Sequence, residues 1–133
     1  MGFYVNPPAD AFKAILRSKT YIDKSGLIAY MNQVLETSRM LTCFSRPRRF
    51  GKSFAAKMLA AYYSRGADSR ELFEDLEIAG MKDAQFEENL NRHDVLFFDM
   101  TSFISMADSI NDTIRDLQSD IIHELKETFP NCI

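Results

Sequence analysis

With 133 residues, 46 % hydrophobic and 26 % charged, the chain has the make-up of one globular domain or part of one, and not of a disordered segment. Its 19 acids against 16 Lys and Arg leave a net charge of −3, which argues against a generally nucleic-acid-binding surface. No apolar run approaches the roughly 20 residues of a membrane span, and the first residues lack the regions of a secretory signal or a myristoylation site. Cys43 and Cys132 fit no metal spacing and no disulfide framework, so a reduced, cytoplasmic protein is expected.

Asn6-Pro7-Pro8 reads as an extended lead-in, because each proline disfavours helix at the residue before it. Residues 10–18 can form a short helix with Phe12, Ile15 and Leu16 on one side. Leu27, Ile28, Met31, Val34 and Leu35 keep a 3.6-residue period, which predicts a helix over about 24–37, with Asp23 or Ser25 as its cap. The apolar run Met40-Leu41-Thr42-Cys43-Phe44 has the pattern of a buried strand, and the helix-forming run from Phe54 to Tyr63 follows it.

Between them stands Ser45-Arg46-Pro47-Arg48-Arg49-Phe50-Gly51-Lys52-Ser53. Strand, tight loop ending in Gly-Lys-Ser, then helix is the setting of a phosphate-binding P-loop. A helix N-terminus offers unpaired N–H groups to an anion, Lys52 would reach the β- and γ-phosphates, and the Ser53 hydroxyl would hold magnesium. The full pattern has glycine where Arg46 stands, and a purely structural strand–turn–helix is the alternative.

Gly66 is expected to end the P-loop helix as its C′ residue. Residues 69–78 read as a short helix or turn pinned by Leu72, Phe73, Leu76 and Ile78, and 80–92 as a polar surface helix or loop. Val95-Leu96-Phe97-Phe98 looks like a second strand buried on both faces, as in a parallel sheet covered by helices. A last helix over about 107–129 carries the stripe Ile110, Ile114, Leu117, Ile121, Leu125 and Phe129, with Asp108 or Ser109 as cap. The order of elements predicts an α/β domain, P-loop NTPase-like, with parallel strands flanked by helices.

Asp99, at the end of an apolar run, resembles a Walker B acid, but Met100-Thr101-Ser102 supplies no second acid to orient water; a loop cap is the favoured reading. His93 and His123 lack neighbouring ligands and read as surface or helix-face residues. Arg46, Arg48 and Arg49 can pair with phosphates of a nucleotide or of a nucleic-acid backbone, or with the chain's own acids. Tyr62-Tyr63 and Phe97-Phe98 read as core.

Tyr21-Ile22-Asp23-Lys24-Ser25-Gly26-Leu27-Ile28 followed by Arg46-Pro47-Arg48-Arg49-Phe50-Gly51-Lys52-Ser53 resembles the bacterial AAA-ATPase-like family, with its Tyr-Val-Asp-Lys-Thr-Gly-x-Ile and Arg-Pro-Arg-Arg-Phe-Gly-Lys-Ser segments. Glu71-Leu72-Phe73-Glu74-Asp75-Leu76-Glu77-Ile78 and Leu96-Phe97-Phe98-Asp99-Met100-Thr101-Ser102 match two later segments of it. The resemblance makes Arg46 a family trait. It implies ATP and Mg2+ as cofactors, held by Arg46, Pro47, Arg48, Arg49, Phe50, Gly51, Lys52, Ser53 and Phe54, with Tyr21 and Asp23 near the base.

The family's Walker B strand, ending in Asp-Glu, comes after the strand matching Leu96 to Met100, and many members carry a nuclease-like domain resembling PD-(D/E)XK enzymes. The resemblance therefore implies the N-terminal part of such a protein: 1–38 as a helical lead-in and 39–133 as the first half of an incomplete P-loop core. Nucleotide binding without appreciable hydrolysis is expected, together with self-association through uncovered sheet edges. A nucleic-acid-associated or non-catalytic interaction module using the arginine-rich loop is the alternative.

Overall fold

The computed structural model describes residues 3–19, 21–45, 52–100 and 108–131. The loop from Arg46 to Gly51, the segment Thr101-Ser102 and Cys132 lie outside the described residues. Seven helices occur among those described: α1 Asp10–Leu16, α2 Gly26–Val34, α3 Lys52–Tyr63, α4 Arg70–Phe73, α5 Glu77–Gly80, α6 Phe86–Asn89 and α7 Ile110–Thr128.

The expected sheet is corrected by this architecture. Among the described residues there is no strand, and the parallel strands of a P-loop NTPase-like α/β domain are not formed; two isolated bridges, Val5 with Leu96 and Ser64 with His93, are the nearest approach. Residues 40–45 have no ladder partner and do not enter the core: Leu41 is 89 % exposed, and Met40 and Phe44 are exposed as well. Residues 95–98 alternate, with Val95 and Phe97 half-buried and Leu96 and Phe98 exposed, so one face is covered where burial on both was expected. Apolar composition makes a run suitable for a buried strand, but a strand exists only where a second backbone satisfies its N–H and C=O groups.

The core belongs to helices. Phe12 and Ile15 of α1, Ile28 and Ala29 of α2, Met58, Ala61 and Tyr62 of α3, Phe73 of α4 and Ile78 of α5 form one buried cluster. Phe12 stacks on Phe73 at 5.0 Å between ring centroids, and Tyr62 meets Phe73 edge-on at 5.5 Å. α3 forms readily because alanine, leucine and methionine lose little on entering a helix, and its apolar residues at 58, 61 and 62 fall on one face.

Polar side chains fasten the helices at specific points. Tyr62 Oη donates to the Phe86 carbonyl at 2.7 Å, and Tyr63 Oη donates to Asn32 Oδ1 at 2.6 Å. Asn32 Nδ2 in turn donates to the Ala84 carbonyl at 2.8 Å, so α2, α3 and α6 share one buried network. Asn91 closes the C-terminal end of α3, its Nδ2 donating to the carbonyls of Ala61 at 3.1 Å and Ser64 at 2.9 Å. These are among the carbonyls a helix end leaves unpaired.

Gly66, expected to serve as the helix's left-handed C′ residue, has no left-handed φ; its role is close approach. A Cβ there would lie 2.3 Å from the Asn6 carbonyl oxygen. At the start of α2, Asp23 Oδ1 accepts from the backbone N–H of Ser25, the N-cap residue, at 2.8 Å, and the remaining side-chain oxygens of this pair reach a second helix. Asp23 Oδ2 accepts from Glu77 N at 2.8 Å and Ser25 Oγ accepts from Ile78 N at 3.1 Å, so both residues cap α5. Partial burial pushes the Asp23 carboxyl up, but its hydrogen bonds from Ser25 and Glu77 prevail and hold it below the usual carboxylate range.

α7 is capped by Ser109, whose Oγ accepts from Asp112 N at 3.2 Å. Its apolar stripe is only half covered: Ile110 and Ile114 are exposed, and Leu117, Ile121 and Leu125 are half-buried. Glu124 ties it to the N-terminal arm by accepting from the backbone N–H groups of Phe3, Tyr4 and Val5 at 2.8, 2.8 and 2.9 Å.

Partial burial raises the Glu124 pKa, but the three N–H groups outweigh that and leave it lowered. A carboxylate whose folded pKa lies below its unfolded one stabilises the docked state fully above the unfolded value, and that contribution is lost as pH falls through the folded value. The arm–α7 contact is therefore expected to open on acidification below about pH 4, the ordinary glutamate range. NMR titration of the Phe3, Tyr4 and Val5 amide shifts would follow a single carboxyl-like transition, absent in Glu124→Gln. A titration unchanged in that variant would refute the assignment.

Candidate functional site

Packing of residues 58, 61 and 62 into the core leaves the N-terminal end of α3 projecting outward. Lys52 and Ser53 are the first two residues of the helix and both are exposed, as is Phe54. The first turn carries no acid. Free N–H groups concentrate about half a positive charge at such an end, and acids are the residues that ordinarily offset it. Here a lysine adds a second positive charge instead, which costs about 0.3–1 kcal/mol at a helix start and is repaid when an anion docks.

Along α3, Ser53, Lys57 and Ala60 are spaced i, i+4 and i+7 and so share one face. Lys57 and Ala60 line a cleft of about 590 Å³, which is also lined by Phe3 and Pro7 of the N-terminal arm and by Phe97. Asp10 and Asp99 supply its carboxylates. α1 packs against α3, which places Asp10, the first residue of α1, beside that helix face. The arm and residues 95–97 are held together by Asn6: its backbone N–H donates to the Val95 carbonyl at 2.8 Å, and its Oδ1 accepts from Val95 N at 2.8 Å. Tyr4 adds a carbonyl that accepts from Phe97 N at 2.9 Å.

Of the residues singled out by sequence, Lys52, Ser53 and Phe54 stand together at the start of α3, while Arg46, Pro47, Arg48, Arg49, Phe50 and Gly51 lie outside the described residues. Tyr21 packs edge-on against Phe12 at 6.1 Å, at the margin of the core. Asp23 has both carboxylate oxygens engaged, Oδ1 by Ser25 N at 2.8 Å and Oδ2 by Glu77 N. His93 Nε2 lies 2.9 Å from Asn89 Oδ1 and its ring meets Tyr63 edge-on. The cleft residues Asp10 and Lys57 drew no notice in the sequence; for Lys57 the helical spacing from Ser53 is the signal that marks it.

The site defines a helical protein that presents a lysine and a serine at an exposed helix start, with no acid in its first turn, beside a mixed apolar and charged cleft. The chain belongs to the AAA-ATPase-like family: the model for this family, described as predicted AAA-ATPase, matches residues 9–131. No curated protein and no solved structure matches the chain. No helix among the described residues is long and apolar enough to cross a membrane.

Proposed function

We propose that the chain binds ATP with magnesium at the start of α3. The observation that carries this reading is the opening of α3 by exposed Lys52 and Ser53 with no acid in its first turn, in a chain of the AAA-ATPase-like family. Lys52 would neutralise phosphate charge, the N–H groups of the first turn would donate to phosphate oxygens, and Ser53 Oγ would ligate the magnesium. In this reading the backbone from Arg48 to Ser53 would wrap the phosphates, with Arg46, Arg48 and Arg49 as additional phosphate partners. When bound, magnesium would offset the charge of the phosphate groups, with Ser53 as its ligand from this chain.

Titration of Mg-ATP against thermal stability tests this. A ligand at a hundredfold its Kd stabilises the folded state by about 2.7 kcal/mol, enough for a shift of roughly 5 °C or more in a domain of this size. Lys52→Ala is expected to abolish most of that shift without lowering the melting temperature of the unliganded protein, because Lys52 is exposed. Equal shifts in the two proteins would defeat the nucleotide reading.

We also propose that the uncovered apolar residues drive self-association. Leu41, Leu96, Phe98 and Met100 are exposed in two segments without a sheet to cover them. Light scattering during size-exclusion chromatography is expected to show a mass rising with concentration; a constant monomer mass across a hundredfold dilution would disprove it.

A further inference from the structure

From the cleft beside α3 we infer that it receives the nucleoside end of the nucleotide, an aminopurine packed in the cavity that Phe3 and Phe97 help to line. The inference rests on the proposal that phosphate docks at the start of α3, and it extends that site by one compartment. Ser53, Lys57 and Ala60 share a helix face, so the phosphate end and the cleft lie on the same side of α3, about 6–10 Å apart along the helix at a rise of about 1.5 Å per residue. A single molecule with an anionic end and a flat apolar end fits that arrangement.

The lining fits the chemistry of such a base. Its volume, about 590 Å³, lies in the range of small-molecule sites, and its walls are mostly apolar with a few convergent polar groups. Phe3 and Phe97 contribute aromatic side chains to that lining, and aromatic side chains are platforms on which bases stack. An adenine presents an exocyclic amine that donates and ring nitrogens that accept. The carboxylates of Asp10 and Asp99 are acceptors for that amine, and the Lys57 ammonium is a donor for a ring nitrogen. Tyr21 and Asp23 are less suited to this role: Tyr21 packs on Phe12, and Asp23 is committed to Ser25 and the start of α5.

The test uses the whole chain and three probes: Mg-ATP, magnesium tripolyphosphate and adenosine, each titrated by calorimetry. Lys57→Met keeps the length of the side chain and removes its donor. Ala11→Leu fills the cleft from an exposed position of α1. Melting curves confirm that both variants fold. Both are expected to weaken Mg-ATP about tenfold, the scale of one lost charge-assisted hydrogen bond, while leaving tripolyphosphate affinity unchanged. Adenosine binding, weak in the wild type, is expected to vanish in both.

Unchanged Mg-ATP and adenosine affinities in both variants, with binding still lost in Lys52→Ala, overturn the cleft and leave the phosphate site standing. Equal losses of ATP and tripolyphosphate also overturn it, since the variants would then act on the phosphate end. If the wild type binds neither ATP nor tripolyphosphate, the phosphate reading fails, and adenosine alone decides the cleft: binding lost in the two variants supports it, and no binding overturns it.

Discussion

Tyr62→Ala is expected to unfold the protein at ambient temperature. Tyr62 is fully buried and its ring meets Tyr63, Phe73 and Phe86 at centroid distances of 4.8, 5.5 and 5.7 Å. Removing a large aromatic side chain from such a position costs about 3–5 kcal/mol through lost transfer free energy and the cavity left behind. That approaches the whole stability of a small domain, about 5–15 kcal/mol. Tyr62→Phe separates packing from hydrogen bonding: it retains the ring and leaves the Phe86 carbonyl without its 2.7 Å donor, at about 1–3 kcal/mol. Urea unfolding followed by circular dichroism measures both, and a cost for Tyr62→Ala no larger than for Tyr62→Phe would contradict the packing account. Because Tyr62 sits in the helix that Lys52 opens, its loss should also erase any stabilisation by Mg-ATP.

Asn91 carries the second large effect. Its side chain donates to the Ala61 and Ser64 carbonyls, its Oδ1 accepts from Ser69 N at 3.1 Å, and its backbone is left-handed at φ 55°. Asparagine is one of the few residues that tolerates that conformation, and alanine does so at a cost of roughly 1 kcal/mol. With the hydrogen bonds lost as well, Asn91→Ala is expected to destabilise by about 3 kcal/mol. Asn91→Asp has a distinct signature. It brings a carboxylate up to the carbonyls at the negative end of α3, which raises its folded pKa above the unfolded one. That variant should be closest to wild type below about pH 4 and lose stability as pH rises through the raised value. Chemical unfolding at pH 3.5 and 7 distinguishes the outcomes, and a variant more stable at the higher pH than at the lower, relative to wild type, would rule the capping role out.

The candidate site was legible as far as its local chemistry reached. Gly51-Lys52-Ser53 ahead of an alanine-rich run marked a helix start, and the described helix does begin at Lys52. Family membership was legible for the same reason, since it rides on short contiguous segments. The cleft was not, because Phe3, Asp10, Lys57 and Asp99 come from four separated parts of the chain and no spacing in the sequence links them.

The sequence alone determined where the helices lie. Period, caps and helix formers act within a few residues, so α1, α2, α3 and α7 fall close to their expected places, and Ser109 caps α7 as its spacing suggested. Only the tertiary structure decided the rest. Met40 to Phe44 and Val95 to Phe98 have strand-like composition, yet a ladder needs a second backbone along its length: among the described residues Met40 to Phe44 finds none, and residues 95–97 meet only the short N-terminal arm, through one isolated bridge. The same dependence on distant partners brought Asp23 Oδ2 and Ser25 Oγ to the start of α5, some 50 residues away, while Asp23 Oδ1 stays on Ser25 N at the start of α2, and it gave Gly66 its role beneath Asn6. Hydrogen bonds and close approaches are indifferent to separation along the chain, and local pattern has no term for them.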